Sequence, residues 1–135
     1  ASEIARFSTP GVHIGLFCST PMVALSRNIA TKHAMEMLLV GDMVSASDAQ
    51  AIGLINRCVT ESDLPTTVDE VAGKIANKAK DTLTVGKQAF YEQQTMKADA
   101  AYHYASEVMV TNLLADDARE GISAFLEKRA PQWRS

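Results

Sequence analysis

The chain has 135 residues, a formal net charge of −3 and a pI near 5.6. Apolar residues make up 47% and charged residues 21%, which is typical of one globular domain and excludes a disordered chain. The chain has no excess of basic residues that would favour a nucleic-acid partner. The uncharged residues 7–25 include His13, two prolines and several hydroxyl side chains. This stretch is therefore too polar to be a membrane span.

Two cysteines, Cys18 and Cys58, lie far apart and have no C-x-x-C partner. Reduced intracellular thiols are the favoured interpretation, with a structural disulfide as the alternative. The sequence shows no signal or transit segment. Because the first residue is Ala rather than Met, we expect a piece of a longer protein.

The first elements in chain order are short. Residues 1–7 predict at most a brief strand, and Pro10-Gly11 predicts a turn. Gly15, within an apolar run, predicts a backbone packed closely against a neighbour. A hydroxyl cap followed by Pro21 then predicts a helix over residues 21–29.

The stretch 31–53 carries the clearest local signals of the chain. Thr31 is a candidate N-cap, and Gly41 follows an apolar helical run as a left-handed stop. Ser45 and Asp48 form a capping pattern for a second helix, which Gly53 should close in the same way. We therefore expect two helices joined by a short extended bridge.

Beyond Gly53 we expect a brief strand over residues 54–59 and then four helices. These helices should cover residues 64–79, 82–94, 98–114 and 117–128. The apolar spacing predicts inward faces formed by Leu64, Val68, Val71, Ala72, Ile75, Ala76, Ala79, Val85, Ala89, Phe90, Ala101, Tyr102, Ala105, Val108, Met109, Leu113, Ile122, Phe125 and Leu126. Two short strands make a poor sheet alone. Either the domain is all-helical with extended joints, or its strands belong to a sheet whose other members lie outside these residues.

Residues with catalytic potential are sparse. His13, His33 and His103 show no metal-binding spacing, so no metal site is predicted. No nucleophile elbow or phosphate-binding glycine loop occurs. Asp116-Asp117 is interpreted as a helix cap rather than a carboxylate pair. The segment 127–129 (EKR) is either an anion grip or, more simply, a basic helix end favoured by the helix dipole.

Three runs nevertheless resemble one family. FSTPGVHIGLFCSTP, AMEMLLVGDMVSASDAQAIGLINRCV and DDAREGISAFLEKRAPQW are similar to the enoyl-CoA hydratase/isomerase (crotonase) family. The likeness spans almost the whole chain but only about the last half of the family's domain. It implies a mainly α structure, the helical C-terminal part of the ClpP/crotonase-like α/β spiral, with one or two short strands. Residues 1–20 would be the end of the spiral core, with a strand and the active-site loop. Residues 21–135 would be the helical region, including the helices used for oligomerisation.

The resemblance also implies acyl-thioester chemistry, in which two backbone N–H groups hold an enolate oxygen and carboxylates move protons. Both oxyanion donors belong to the half of the domain not covered here. The family's P-E-x-x-x-G motif reads PGVHIG in this chain, so its glutamate position is Gly11. Isomerase relatives place an acid near Ser19, where none occurs. His13 is only a weak candidate for the missing base.

The resemblance implies a ligand site on the last helix. Its family Phe and Lys, which reach the CoA of a neighbouring subunit, match Phe125 and Lys128. The ligand would be a coenzyme A thioester, bound as substrate and not covalently, and the assembly a homotrimer or hexamer. The location implied is the mitochondrial matrix, although this chain shows no transit peptide; otherwise it would be cytoplasmic.

The leading hypothesis is an acyl-CoA binding or processing protein of fatty-acid metabolism, of the lyase or isomerase class. Standard hydratase activity is not expected because of Gly11 and the absent oxyanion-hole half, and as a fragment the chain is expected to be impaired or inactive. The alternative is a non-enzymatic helical oligomerisation module. A third possibility is an isolated half that is only partly folded, with exposed apolar surface.

Overall fold

The computed structural model describes residues 1–134, which are mainly helical, as the fold class predicts. Within them, β1 is Arg6–Phe7, α1 Ser19–Asn28, α2 Thr31–Val40, β2 Val44–Ser45, α3 Ala46–Ala51, α4 Leu64–Ala76, α5 Lys80–Gln93, α6 Ala98–Leu113 and α7 Asp116–Glu127. A 3-10 helix covers Pro10–Ile14. None of the described helices combines the length and apolar character that crossing a membrane requires.

The chain forms two compact units, which we call the N-terminal unit (Ala1–Glu70) and the C-terminal unit (from Val71 onward). The boundary falls within α4. Cys18 and Cys58 are both free thiols of intermediate burial in the N-terminal unit. The interpretation as reduced cysteines is therefore confirmed over the disulfide alternative.

The core of the N-terminal unit lies between α1 and α2. Its buried members are Leu25, Ile29, Ala34, Met37 and Leu38. Leu38 is the most deeply buried large side chain, with 1% of its surface exposed. Residues 34, 37 and 38 recur at three- and four-residue spacing, so that one face of α2 is closed against α1.

A small sheet lies beside this core, because β1 pairs antiparallel with β2 through Phe7 and Val44. The expected strand over residues 54–59 is wrong. Its single sheet contact is a parallel bridge between Ser2 and Val59. The amides of residues 54 and 55 instead donate to the Ala49 carbonyl at the end of α3, at 2.8 and 3.3 Å. These donors serve as a helix cap and cannot also form a ladder.

The helix stops are confirmed, and one start is not. Gly41 and Gly53 have φ of 76° and 82°, and the Ser45 hydroxyl accepts from the Asp48 amide at 3.1 Å. The N-cap of α2 is Ala30, without a side-chain bond, so Thr31 is the first helical residue rather than the cap. Gly15 also corrects an expectation: its φ is 77°, and no atom lies near the position of its missing Cβ. Turn conformation, not close packing, requires glycine there.

In the C-terminal unit, α5 packs on α6 and α6 packs on α7. Between the first two, the Tyr104 hydroxyl donates to the Glu92 carboxylate, which also accepts from Gln88 at 2.8 Å. These bonds lower the pKa of Glu92, and the bond to Glu92 raises the pKa of Tyr104. The bond therefore links the exposed edges of two neighbouring helices.

Many side chains expected to point inward in this unit are exposed. Phe90, Tyr102, Met109 and Ile122 are exposed. Ala79 is buried, as expected, and Asp117 and Ala124 are buried although they were not in the expected set. Phe125 is 82% exposed. The helical period identifies an apolar face correctly but does not say whether this chain covers it.

Candidate functional site

The loop around Gly11 is held by backbone bonds within the N-terminal unit. The Leu16 amide donates to the Gly11 carbonyl at 2.9 Å, and the Gly11 amide donates to the Cys18 sulfur at 3.3 Å. Gly15 closes the preceding 3-10 helix in the left-handed conformation. Residues 10–18 therefore form a tight turn that folds back on position 11.

Position 11 has no space for a side chain. A Cβ on Gly11 would lie 2.6 Å from the Leu16 carbonyl oxygen and 2.8 Å from the Cys18 sulfur. Both distances are shorter than Cβ contacts in proteins, and the first involves backbone that cannot rotate away. The motif position expected to carry an acid thus holds a glycine whose neighbours occupy the side-chain space.

His13 fastens this loop to the end of α2. Its Nε2 lies 3.0 Å from the Val40 carbonyl oxygen, so Nε2–H is the donor and Nδ1 is left as the acceptor of the neutral ring. This bond satisfies one of the carbonyls that a helix C-terminus leaves without an intrahelical partner. The interaction gives His13 a structural role at the end of α2.

Two hydroxyls reinforce the same junction, and no sequence signal marked them. The buried Thr9 hydroxyl donates to the Met37 carbonyl at 2.7 Å, and the Ser8 hydroxyl donates to the Gly41 carbonyl at 3.0 Å. Gly41 itself lies against Val12 and His13. Three loop side chains thus cap α2, which fixes the loop to the core.

Three carboxylates that follow the Gly11 loop in sequence share one cavity of the N-terminal unit. Glu36, Asp42 and Asp48 line a cavity of about 290 Å³ whose apolar walls include Val40 and Ile52. Asp48 is held by the Ser45 hydroxyl at 2.5 Å. Nowhere in residues 1–134 do three or more metal-binding side chains converge.

In the C-terminal unit, the structure brings Phe125 and Lys128 together at the end of α7. Lys128 is the C-cap, with φ 56° and ψ 38°, and its amide donates to the Phe125 carbonyl at 3.3 Å. It is the one non-glycine with positive φ in the described part of the chain. Both side chains are exposed. An aromatic ring and a cation therefore lie three residues apart on an open helix end.

The neighbouring Arg129 is engaged by two acids. Its guanidinium contacts both oxygens of Glu120, at 2.6 and 3.0 Å, and Glu127 at 2.7 Å. The Gln132 amide also donates to Glu120 at 2.8 Å. The bonds from Arg129 and Gln132 lower the pKa of Glu120 to about 2. Of the two cations in the 127–129 segment, Lys128 is thus the one whose ammonium pairs with no acid among residues 1–134.

After Arg129 the chain folds back along α7. The Trp133 indole donates to the Asn77 carbonyl at 2.8 Å, and its ring lies against Gly121. The Arg134 amide donates to Asp117 at 2.7 Å, and its guanidinium pairs with Asp116 at 3.1 Å. Asp116-Asp117 therefore hold the tail. An apolar cavity of about 490 Å³ beside it is lined by Leu83, Ile122, Phe125, Leu126 and Trp133, among others.

Comparison with known proteins places these features in one family. The sequence matches the enoyl-CoA hydratase/isomerase family over residues 1–135. It is 44% identical over 133 residues to the human mitochondrial enoyl-CoA hydratase domain-containing protein 3, covering 98% of this chain and 44% of that protein. The three motif runs had suggested this same relative. A short-chain-enoyl-CoA hydratase of Clostridium acetobutylicum is 32% identical, covering 96% of this chain and 50% of that enzyme.

Solved structures agree. An enoyl-CoA hydratase from Mycobacterium smegmatis has a TM-score of 0.95 and 44% identity, with 100% of this chain and 52% of that one covered. Human enoyl-CoA hydratase domain-containing protein 3 has a TM-score of 0.94 and 44% identity, with 98% and 53% covered. The chain spans about half the length of the curated relatives that it matches. It belongs to the enoyl-CoA hydratase/isomerase, or crotonase, family.

Proposed function

We propose that this chain is the coenzyme A-binding, helical part of a protein that binds and processes acyl-CoA thioesters in fatty-acid metabolism. Its reaction would resemble those of enoyl-CoA hydratases and isomerases, without standard hydratase activity. The observation that carries the proposal is the exposed pair Phe125 and Lys128 at the end of α7. Family membership supports it, because enoyl-CoA hydratases act on CoA thioesters.

Lys128 would contribute charge to ligand binding. An ammonium is a compact point charge suited to phosphate, and CoA carries several phosphate groups. Phe125 would contribute an apolar surface for the same ligand. In the family these two positions reach the CoA of a neighbouring subunit, so we propose a homotrimer or a hexamer as the working assembly.

At the reacting end, the chain offers no acid where the family places one. Gly11 cannot exchange a proton, and the Leu16 carbonyl occupies the space of a side chain there. His13 is bonded to Val40. Hydration needs a group that directs water and moves a proton. We therefore propose a weak or altered reaction, such as isomerisation or thioester cleavage, in which stabilisation of the enolate or tetrahedral oxyanion carries more of the catalysis. The group that moves the proton would come from the preceding half of the domain.

We assign roles to the segments of the chain by analogy with the family. Residues 1–20 would close the spiral core and supply the active-site loop, and residues 21–135 would form the helical region. The oxyanion donors would come from the preceding half of the domain. The mitochondrial names of several relatives support a location in the mitochondrial matrix.

Calorimetric titration of the full-length protein with free coenzyme A tests the ligand site. We expect micromolar binding that is weakened at least tenfold in Lys128→Ala, because the ammonium is lost at the phosphate. Lys97→Ala removes another lysine that lies outside this pair and should leave the affinity unchanged. Equal loss in both variants would contradict the proposal.

A second function is favoured by the exposed apolar side chains of α6 and α7, which include Tyr102, Met109, Leu113 and Leu126. Such surfaces mark sites of interaction. The chain would then be a non-enzymatic oligomerisation module. This alternative predicts a stable oligomer in sedimentation experiments with no coenzyme A binding, whereas the leading proposal predicts both.

A further inference from the structure

We propose that Glu120 and Arg129 are positioning residues that hold Lys128 in the conformation from which it meets the coenzyme A phosphates. The inference rests on the proposed function, since it assigns a purpose to the geometry around Lys128. It adds two residues to the ligand-binding end of α7, neither of which contacts the ligand.

The first step is the backbone of Lys128. Its φ of 56° lies in the left-handed region, which a residue with a Cβ disfavours and which glycine adopts without strain. Helices commonly end in this way, but with glycine at this position. Holding a lysine there requires contacts from its neighbours that offset the steric cost.

The second step is the anchorage of Arg129. Its amide donates to the Ala124 carbonyl at 3.0 Å, and its guanidinium contacts both Glu120 oxygens and one Glu127 oxygen. The two parallel bonds to Glu120 form a bidentate pair, which fixes direction as well as distance. The residue that follows Lys128 is thus fixed through both its backbone and its side chain.

The third step extends the anchorage further along the chain. The same Glu120 accepts from the Gln132 amide, so one carboxylate ties residues 129 and 132 to the middle of α7. Lys128 lies between the end of the helix and this tie. Its backbone is therefore held on both sides, by its own amide bond to Phe125 and by the bonds of Arg129.

The fourth step is electrostatic. Arg129 is neutralised by its two acids, whereas the ammonium of Lys128 is paired with none of the residues in 1–134. The ion pairs of Arg129 with Glu120 and Glu127 therefore leave Lys128 as the cation that can bind an anionic ligand. If Glu120 were lost, Lys128 would have to be ordered by the ligand, and ordering a long side chain weakens binding by about tenfold.

The test compares variants of the full-length protein by calorimetry with free coenzyme A. Glu120→Gln should weaken binding about tenfold for the ordering reason above. Glu120→Asp, which keeps a carboxylate for Arg129 and for the Gln132 amide, should retain more of the affinity than Glu120→Gln. Arg134→Gln removes another exposed ion pair of the same tail, with Asp116, and is the matched control. Its affinity should equal that of the wild type.

A ligand-free readout separates this inference from the proposed function. Amide hydrogen exchange at Lys128 and Arg129 should speed up in Glu120→Gln but not in Arg134→Gln. Glu120→Gln should speed up the exchange less when Lys128 is also replaced by glycine, because glycine adopts the left-handed conformation without strain. If the wild-type protein failed to bind coenzyme A, the proposed function would be overturned. The exchange data would still show whether Glu120 and Arg129 hold the backbone of Lys128. Unchanged exchange in Glu120→Gln, or affinity equal to wild type, would overturn the positioning role.

Discussion

The hydroxyl of Thr9 donates a hydrogen bond of 2.7 Å to the carbonyl of Met37 and is buried there. A residue of the loop before Gly11 is thereby joined to the last turn of α2. The conformation of the loop that contains Gly11 and the stability of the N-terminal unit are therefore linked. Substitutions at this junction should change both.

Thr9→Val keeps the shape of the side chain but removes the donor. We expect it to lower the free energy of unfolding by about 1 kcal/mol, the net contribution of a typical buried hydrogen bond. Urea unfolding followed by circular dichroism measures this. Thr84→Val, which removes an exposed bond to Lys80, is the control and should change stability by less. Equal losses of unfolding free energy in the two variants would show that the buried Thr9 bond contributes no more to stability than the exposed Thr84 bond.

The left-handed glycines provide a second, internally matched comparison. Gly41→Ala should destabilise by more than the roughly 1–2 kcal/mol of left-handed strain, because its Cβ would also lie 2.8 Å from Val12. Gly53→Ala has the same strain but open space around it. The free energy of unfolding of Gly53→Ala should therefore fall by the strain energy alone. Thermal unfolding of the two variants tests the order, and a larger loss in Gly53→Ala would contradict the packing described for His13 and Gly41.

Restoring the family glutamate should fail. Gly11→Glu must displace the Leu16 carbonyl or the Cys18 sulfur, so we expect reduced stability and no hydration of crotonyl-CoA. Gly11→Ala, which has the same Cβ but no carboxylate, should be destabilised as well. A stable Gly11→Glu variant with hydratase turnover would show that the loop adapts to a side chain at this position.

The pH dependence of the tail follows from Glu120. Its pKa falls from the ordinary 4.5 to about 2, first through the bonds from Arg129 and then through Gln132. A depressed pKa means that the carboxylate stabilises the folded tail above about pH 4.5 and loses that contribution as the pH falls towards 2. Trp133 is the only tryptophan and follows Gln132 directly.

Its fluorescence should therefore report a tail transition between pH 4.5 and 2 that ends near the lower value. Glu120→Gln should lack this transition, and its fluorescence at neutral pH should be shifted towards that of the wild-type protein at low pH. Identical pH profiles in both proteins would contradict the role of Glu120 in holding the tail.

Much of the local structure could be predicted from sequence because its causes are local. Gly41, Gly53 and the Ser45–Asp48 cap act within one turn, and each appears as expected. The brief strand at residues 54–59 did not form, because its amides were used by the end of α3. That competition depends on a neighbouring carbonyl, which hydrophobic alternation does not reveal.

The candidate site also contains some residues that sequence motifs reveal and some contacts that they do not. Gly11 and Lys128 could be found by matching motifs, since each lies in a contiguous pattern. The bond from Thr9 to Met37 joins residues 28 positions apart, and Glu120 meets Arg129 only because the chain folds back after α7. No spacing rule predicts either contact. The apolar period placed Phe125 inward, whereas its ring is exposed, because the period does not identify what covers an apolar face.

The most direct measurement of the central claim is a titration of the full-length protein with crotonyl-CoA while the enoyl absorbance is recorded. The proposal predicts saturable binding with the absorbance almost unchanged, since position 11 supplies no group to exchange a proton. Rapid loss of the enoyl absorbance, at a rate typical of enoyl-CoA hydratases, would contradict it.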